Sequence, residues 1–91
     1  PFITSDMIDQ MIIASQENPG HIIMATHEGK RGNPVLWPAR FFEELRFVSG
    51  DVGARHIIGA NSDFVIEIEL GIAASLDLDT PEAVASIMLN N

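Results

Sequence analysis

The sequence predicts a small domain of the α/β class. Residues 3–16 repeat apolar side chains at helical spacing, which indicates an amphipathic helix. Residues 21–25 (HIIMA) are a short, continuous apolar run, as expected of a strand covered on both faces. Residues 64–70 (FVIEIEL) alternate in the way that a strand with two unlike faces requires. Strands that alternate with helices favour a layered α/β architecture.

The predicted first helix carries its own start and stop signals. Thr4 and Ser5 are candidate N-caps, and Asp6 and Asp9 place negative charge in the first turn, where the helix dipole favours it. The segment 18–20 (NPG) ends the helix.

The middle of the chain is predicted as a loop followed by two helices. Residues 26–33 (THEGKRGN) are polar with two glycines, which indicates a loop, and residues 34–37 form a short strand after it. Pro38 suits the first turn of a second helix, in which Arg40 pairs with Glu44 at i,i+4. Its inward-facing side chains are Phe41, Phe42, Leu45 and Val48.

The rest of the chain is predicted as helix, strand and helix. Asp51 is expected to cap a short third helix that ends near Gly59. In the strand at 64–70, one face carries Phe64, Ile66, Ile68 and Leu70, and the other carries Val65, Glu67 and Glu69. Residues 71–75 connect this strand to the last segment, and residues 81–89 are predicted to form a final helix.

Composition excludes several classes of protein. The net charge of −8 argues against a nucleic-acid-binding surface, since that needs a basic stripe. The chain has no apolar run long enough to span a bilayer and no signal peptide with a basic start. The absence of cysteine excludes disulfides and thiolate metal sites. We therefore expect a cytoplasmic domain with no membrane or nucleic-acid partner.

The charges are divided along the sequence. The five basic residues all lie in the middle of the chain: Lys30, Arg31, Arg40, Arg46 and Arg55. From Asp63 onward every charged residue is acidic. This division suits a site that holds a cation on one side and an anion on the other, and ordinary charge scatter is the alternative.

Two aspartates near the C-terminus are candidate metal ligands. If residues 76–79 are extended, Asp77 and Asp79 lie on the same side of the chain. Thr80 is then a natural N-cap and Pro81 the first helical residue, so neither aspartate is needed for capping. Mg²⁺ commonly binds one or two carboxylates together with substrate phosphates. The alternative, which spacing alone favours, is that Asp79 caps the helix and Asp77 is solvated.

Two glycine-containing stretches are candidate anion sites. In residues 28–34, glycines flank Lys30 and Arg31, so backbone amides and two cations could approach an anion; a solvated hairpin is the alternative. In residues 50–55, a helix start is followed by Arg55, which can bind phosphate or carboxylate in a bidentate manner. The sequence contains no P-loop, no zinc-ligand spacing of its histidines and no G-x-S-x-G elbow.

Taken in order, three stretches resemble the molybdenum-cofactor nucleotidyltransferases (MobA-like NTP transferase domains), especially the cytidylyltransferase branch. That family has a Gly-His-Pro segment, then Gly-Asp-x-Gly-Ala-Arg, then Asp-Ile-Asp-Thr-Pro-Glu-Asp. The corresponding stretches here are RGNPVL at 31–36, GDVGAR at 50–55 and DLDTPEA at 77–83. Residues 1–4 (PFIT) resemble the continuation of the family's Gly-Asp-x-Pro segment, whose aspartate binds Mg²⁺ and would precede residue 1.

The resemblance implies a fold and an extent for the domain. It identifies residues 1–91 as the C-terminal half of a Rossmann-like, three-layer α/β/α nucleotidyltransferase domain of the nucleotide-diphospho-sugar transferase type. The N-terminal nucleotide-binding half would then be absent. On this basis we expect the isolated chain to be inactive, and its exposed sheet edge to favour a homo-oligomer or association with the missing half.

The resemblance also implies a reaction. A phosphate of molybdopterin would attack the α-phosphate of CTP, transferring CMP and releasing pyrophosphate with Mg²⁺ as cofactor. Asp79 and Asp77 would be the catalytic, metal-binding residues. The substrate-binding residues would be Arg31, Gly32, Asn33, Pro34, Asp51 and Arg55.

Two positions depart from the family pattern. Asn33 stands where the family usually has histidine, and Ala83 where it has a final acidic residue. These departures keep two alternatives open. One is a transferase that uses GTP or another phosphate acceptor; the other is a non-catalytic remnant kept for binding or assembly.

Overall fold

A computed structural model describes residues 3–48, 50–75 and 86–88, without the side chains of residues 51, 75 and 86–88. The helices and strands in order are α1 (Ser5–Glu17), β1 (Ile22–His27), β2 (Lys30–Trp37), α2 (Phe42–Arg46), α3 (Gly50–Ala60), β3 (Val65–Glu69) and β4 (Ser86–Met88). Short 3-10 turns occupy Ala39–Phe41, Ser62–Phe64 and Gly71–Ser75.

Helix α1 confirms the predicted first helix, with bounds Ser5–Glu17 in place of residues 3–16. The Thr4 hydroxyl accepts a hydrogen bond from the backbone N–H of Met7 at 3.2 Å, so Thr4 is the N-cap and Ser5 the first helical residue. At the other end, the side chain of Asn18 donates to the carbonyl of Ala14 at 2.9 Å. Met11 and Ala14 face the core.

Within the described residues, the strands form one sheet in the order β3-β1-β2-β4. The central strand β1 pairs antiparallel with β2 and parallel with β3. The alternation predicted for residues 64–70 is confirmed within β3, because Ile66 and Ile68 pack on one face of the sheet and Val65 on the other. Phe64, predicted to share the face of Ile66, lies instead in the 3-10 turn before the strand.

The sheet separates two apolar clusters. On one face, α1 packs with a cluster of Met11, Ala14, Ile23, Ala25, Leu36, Leu70 and Ala74. On the other face, α2 and α3 pack on a cluster of Ile22, Met24, Val35, Trp37, Phe41, Ile57 and Ile58. Because β1 contributes to both, the prediction of a strand covered on both faces is confirmed. The layers are helix, sheet and helix.

The predicted loop at residues 26–33 is wrong, because these residues form the tip of the β1–β2 hairpin. Glu28 and Gly29 make a two-residue turn with positive φ angles of 52° and 79°, as in the type I′ turns that suit strand twist. The Glu69 carboxylate accepts hydrogen bonds from the backbone N–H groups of Glu28 (2.9 Å) and Gly29 (3.4 Å). A residue about 40 positions away therefore fixes a turn that local composition describes only as polar.

Two further expectations about helices need correction. Helix α3 begins at Gly50, so Asp51 lies in its first turn and not before it. Residues 86–88, predicted as helix, form strand β4, whose parallel pairing satisfies backbone groups at the edge of β2. The rest of that predicted helix lies outside the described residues.

The predicted pair of Arg40 with Glu44 is replaced by other contacts. The Arg40 Nε–H donates to the carbonyl of Gly20 at 2.7 Å. Its guanidinium Cζ lies 4.2 Å from the ring centroid of Phe41 and 4.6 Å from that of Phe64. Because a 3-10 turn precedes α2, Arg40 lies before the regular helix and points back to the start of β1.

Candidate functional site

A cavity of about 250 Å³ lies between the β1–β2 hairpin and helix α3. Its lining comes from three segments that are separate in sequence: Met24 of β1; Arg31, Gly32, Asn33, Val35 and Trp37 of β2; and Ala54, Arg55 and Ile58 of α3. The lining has a polar part, formed by two arginines and an asparagine, and an apolar part formed by the remaining side chains.

Strand β2 supplies one row of this lining. Residues 31, 33, 35 and 37 all line the cavity, at the spacing of two that places strand side chains on the same face. Within that row polarity changes from cationic Arg31, through the amide of Asn33, to apolar Val35 and Trp37. Burial increases in the same direction, since Arg31 is exposed and Trp37 is fully buried.

Gly32 has a structural reason to be glycine. A Cβ at this position would collide with the backbone carbonyl of Ala74, in the turn Gly71–Ser75. The missing side chain lets this turn pack closely on β2. At Gly32, β2 therefore packs against this turn on the face away from the cavity, while the side chains of Arg31 and Asn33 line the cavity.

Gly53 places helix α3 in a similar way. A Cβ at Gly53 would lie 2.5 Å from the Cβ of Val48, so only glycine permits this approach of the helix to the preceding segment. Arg55 and Ile58, on the following turn, then reach the cavity. The stretch GDVGAR thus combines a packing residue with a cationic lining residue.

The cavity has an anionic neighbour as well as cationic lining. A carboxylate oxygen of Glu67, on β3, lies 3.7 Å from the Nε of Arg31. Both side chains are 44% exposed, so solvent screens the pair and its net contribution to folding is small. Arg31 therefore stays partly exposed beside the cavity.

Glu69 is the titratable group with a resolved shift in the described part of the chain. The hydrogen bond from the backbone N–H of Glu28 lowers its pKa, and bonds from Gly29, Thr26 and Gly71 act in the same direction against partial desolvation. This carboxylate ties the hairpin tip to the end of β3. Glu69 therefore fixes the turn between β1 and β2.

The structure brings together four of the residues predicted to bind substrate: Arg31, Gly32, Asn33 and Arg55. Pro34 is instead fully buried within β2 and is not part of the lining. Asp51 lies in the first turn of α3, and its side chain is not among those that the structure describes. Asp77 and Asp79, the predicted metal ligands, also lie outside the described residues.

The described residues contain no cluster of several metal-ligating side chains. Across residues 3–48, 50–75 and 86–88, no group of three or more His, Asp or Glu side chains could hold a metal ion. No described helix is long and apolar enough to cross a membrane.

Sequence reasoning missed the apolar part of the cavity. Met24, Val35, Trp37, Ala54 and Ile58 have the composition of ordinary core residues, and Trp37 does pack in the core, edge to face with Phe41 at 5.9 Å. The available signal was the period of two from Arg31 to Trp37. It was hidden by the interpretation of residues 26–33 as a loop.

Comparison with known proteins identifies the family. The MobA-like NTP transferase domain matches residues 1–64, which include the stretches at 31–36 and 50–55. The chain belongs to this family. The family expected from the ordered motifs is thereby confirmed.

A curated relative of this MobA-like domain is the molybdenum cofactor guanylyltransferase of Mesorhizobium japonicum. It is 31% identical over 86 residues, an alignment that covers 87% of this chain and 39% of the relative. The chain therefore spans about two fifths of the length of the curated relative that it matches. No solved structure shows a significant match to the chain.

Proposed function

We propose that this MobA-like domain forms the acceptor-binding side of a Mg²⁺-dependent nucleotidyltransferase of molybdenum cofactor biosynthesis. The reaction transfers a nucleotidyl group to molybdopterin and releases pyrophosphate. One observation carries the proposal: a single cavity gathers Arg31, Gly32, Asn33 and Arg55, from two stretches that resemble separate family motifs.

The two parts of the cavity suit a phosphorylated heterocycle. Arg31 and Arg55 provide planar, charged donors that match phosphate oxygens, and the amide of Asn33 offers both a donor and an acceptor. Met24, Trp37 and Ile58 offer an apolar surface for a ring. At about 250 Å³, the cavity is below the range of about 300–1,000 Å³ typical of ligand pockets. We therefore assign it one substrate and not both.

These residues contribute positioning and charge neutralisation to the reaction. An oxygen of the acceptor's phosphate forms a bond to the α-phosphorus of the nucleotide, and the bond from that phosphorus to the pyrophosphate oxygen breaks. Arg31 and Arg55 hold the attacking phosphate and offset its repulsion from the triphosphate. Mg²⁺, for which we propose Asp79 and Asp77 as ligands, supplies further neutralisation of the phosphate charge when bound.

Two observations support different nucleotides. The resemblance of the three motifs to the cytidylyltransferase branch supports CTP. The relative is a guanylyltransferase, which supports GTP as the second candidate. Because the chain spans 39% of that relative, we propose that the base is selected by a part of a Rossmann-like domain outside these residues.

The test is nucleotidyl transfer by the native protein to molybdopterin with Mg²⁺, using α-labelled CTP and GTP in parallel. Arg31→Met and Arg55→Met should each raise the KM for molybdopterin about ten- to a hundredfold, as expected for a lost charged hydrogen bond of about 1.5–3 kcal/mol. Arg46→Met is the control, because Arg46 pairs with Glu43 on α2, away from the cavity lining. Unchanged KM in both cavity variants would contradict the proposed acceptor site.

The metal assignment has its own variant. Asp79→Ala should strongly reduce Mg²⁺-dependent transfer, whereas Asp9→Ala, exposed on α1 across the sheet from the cavity, should leave it unchanged. Normal turnover by Asp79→Ala would rule out the metal role. Binding of molybdopterin without transfer of either nucleotide would instead favour the non-catalytic remnant.

A further inference from the structure

Trp37, the single tryptophan of the chain, combines two features that are unusual together. It is fully buried, and it also forms part of the cavity lining. Its ring is held by an edge-to-face contact with Phe41, whose centroid lies 5.9 Å away at an interplanar angle of 68°. The indole is therefore a buried part of the cavity wall.

The indole N–H of Trp37 is buried and has no hydrogen-bond acceptor among the described residues. Its buried neighbours on this face of the sheet are apolar and include Met24, Val35, Phe41 and Ile58. Buried N–H groups are normally paired, because leaving them unpaired forfeits the hydrogen bond they make with water. Tryptophan in particular is usually buried where its N–H reaches a partner. The unpaired group therefore needs an explanation.

We infer that the Trp37 N–H is a positioning donor for the acceptor substrate. It donates a hydrogen bond to a carbonyl oxygen or ring nitrogen of the heterocycle that enters the cavity. This inference rests on the proposed function, which assigns the cavity to a phosphorylated heterocycle.

The arrangement of the row on β2 supports this role. Arg31 and Trp37 lie at opposite ends of the cavity-lining row, with Asn33 and Val35 between them. The arginine end binds phosphate, and the indole end meets the ring. A donor in an apolar wall discriminates between heterocycles, because only a ring that offers an acceptor at this position gains the hydrogen bond. Trp37 thus selects and orients the heterocycle while Arg31 and Arg55 supply attraction for its phosphate.

A trapped water that satisfies the N–H is the competing explanation. The two explanations differ in what happens on binding. A ligand acceptor changes the environment of the indole N–H only when a heterocycle is present. A structural water occupies it in the free protein and contributes to stability there.

The first experiment follows the indole N–H directly by NMR in the ¹⁵N-labelled native protein. The Trp37 resonance is assigned as the one that Trp37→Phe removes. Titration with neopterin monophosphate should shift this resonance downfield and slow its hydrogen exchange at least tenfold. Inorganic pyrophosphate, which lacks a ring, should shift the Arg31 Nε–H and leave the indole unchanged. Shifts of the Gly32 and Ala54 amides by the pterin, with an unaltered indole, would overturn the inference.

The second experiment removes only the N–H. Trp37 is replaced site-specifically by its benzothiophene isostere, in which sulfur takes the place of N–H and the bicyclic ring is kept. The KM for molybdopterin should rise about tenfold. The KM for the nucleotide should stay unchanged. The thermal midpoint should not fall, since the free protein has no such hydrogen bond to lose. A lower thermal midpoint with an unchanged KM for molybdopterin would identify a structural hydrogen bond and overturn the inference.

Failure of the inference and failure of the proposed function give different results. If the unmodified protein transfers nucleotide to molybdopterin and the isostere has the same KM, only the role of Trp37 is wrong. If the unmodified protein neither transfers nucleotide nor binds the pterin, both are wrong.

Discussion

Glu67 and Arg31 reach toward each other across the central strand, with a carboxylate oxygen 3.7 Å from the Nε of the arginine. Arg31 lines the cavity and Glu67 belongs to β3, so an anion that binds Arg31 competes with this carboxylate. The pair is half-exposed and weak as a source of stability. We expect this pair to set the affinity of the proposed acceptor site for anions.

Removal of that competition should strengthen anion binding. Glu67→Gln is expected to raise the affinity for inorganic pyrophosphate about 1.4- to fivefold at low salt, the range that an exposed ion pair of about 0.2–1 kcal/mol allows. The gain should shrink as salt screens the charges. Isothermal titration calorimetry at two ionic strengths measures both effects. Glu43→Gln is the matched control, because Glu43 pairs with Arg46 on α2; equal gains in both variants would refute a local effect.

Gly32→Ala should destabilise the fold through a collision on the side of β2 away from the cavity. The added Cβ would meet the carbonyl of Ala74, and backbone on both sides must shift to relieve it. We expect a loss of about 1–3 kcal/mol in the free energy of unfolding, the usual cost of overpacking. Urea denaturation followed by Trp37 fluorescence measures this loss.

Gly59→Ala is the control for that experiment. Gly59 lies in α3, and a Cβ there would meet no atom within 4 Å. The substitution should stabilise the protein by up to about 1 kcal/mol, because alanine has the higher helix propensity. If both glycine variants change stability alike, the close approach of Gly32 to Ala74 is not what requires glycine.

The parts of the fold that could be predicted from sequence are those fixed by local periodicity. Helix α1 and strand β3 follow from the spacing of apolar residues, and the continuous apolar run of β1 reflects its burial on both faces. Ordered motifs also predicted that residues 31–33 and Arg55 belong to one site, although no local pattern shows that they are close in space.

The remaining features depend on contacts between distant residues. The β1–β2 hairpin needs the carboxylate of Glu69, from the end of β3, to bind the backbone of its turn. Strand β4 exists through pairing with β2, which helix propensity in residues 81–89 does not reveal. The cavity wall at Trp37 looks like core in the sequence, since burial and site lining use the same residue types.

The hydrogen bonds from the hairpin turn to the Glu69 carboxylate predict that the β1–β2 hairpin is sensitive to acid. Its lowered pKa means that the folded state favours the carboxylate, so this stabilisation is present above the pKa of the unfolded chain. It is lost as the pH falls through the lower pKa of the folded state. Glu69→Gln should therefore lower the thermal midpoint at neutral pH and differ less from wild type in acid. Thermal melts of both proteins, from neutral pH down to values at which carboxylates are protonated, measure how this difference in thermal midpoint changes with pH.

Glu17→Gln serves as the comparison for Glu69→Gln, because Glu17 is an exposed carboxylate at the end of α1. Amide hydrogen exchange at Glu28 and Gly29 should accelerate in Glu69→Gln and not in Glu17→Gln. A constant stability difference between wild type and Glu69→Gln across the pH range would contradict a role for the charge itself.

Loss of Arg40 should destabilise the fold. Its Nε–H donates to the carbonyl of Gly20 at 2.7 Å, and its guanidinium lies within 4.6 Å of the ring centroids of Phe41 and Phe64. One side chain thus joins the turn before β1, the turn before α2 and the turn before β3. Arg40→Ala should cost about 1–2 kcal/mol, from a charged hydrogen bond and cation–π contacts.

Two comparisons show whether the geometry or the charge of Arg40 is responsible for its contribution to stability. Arg40→Lys keeps the charge but loses the planar group that stacks on the rings, so it should recover less than half of the loss. Arg46→Ala removes an exposed pair with Glu43 at 3.2 Å and should cost less than about 0.5 kcal/mol. Urea denaturation gives all three values. If lysine restores full stability, charge alone is sufficient, and the stacking of Arg40 between Phe41 and Phe64 contributes nothing measurable.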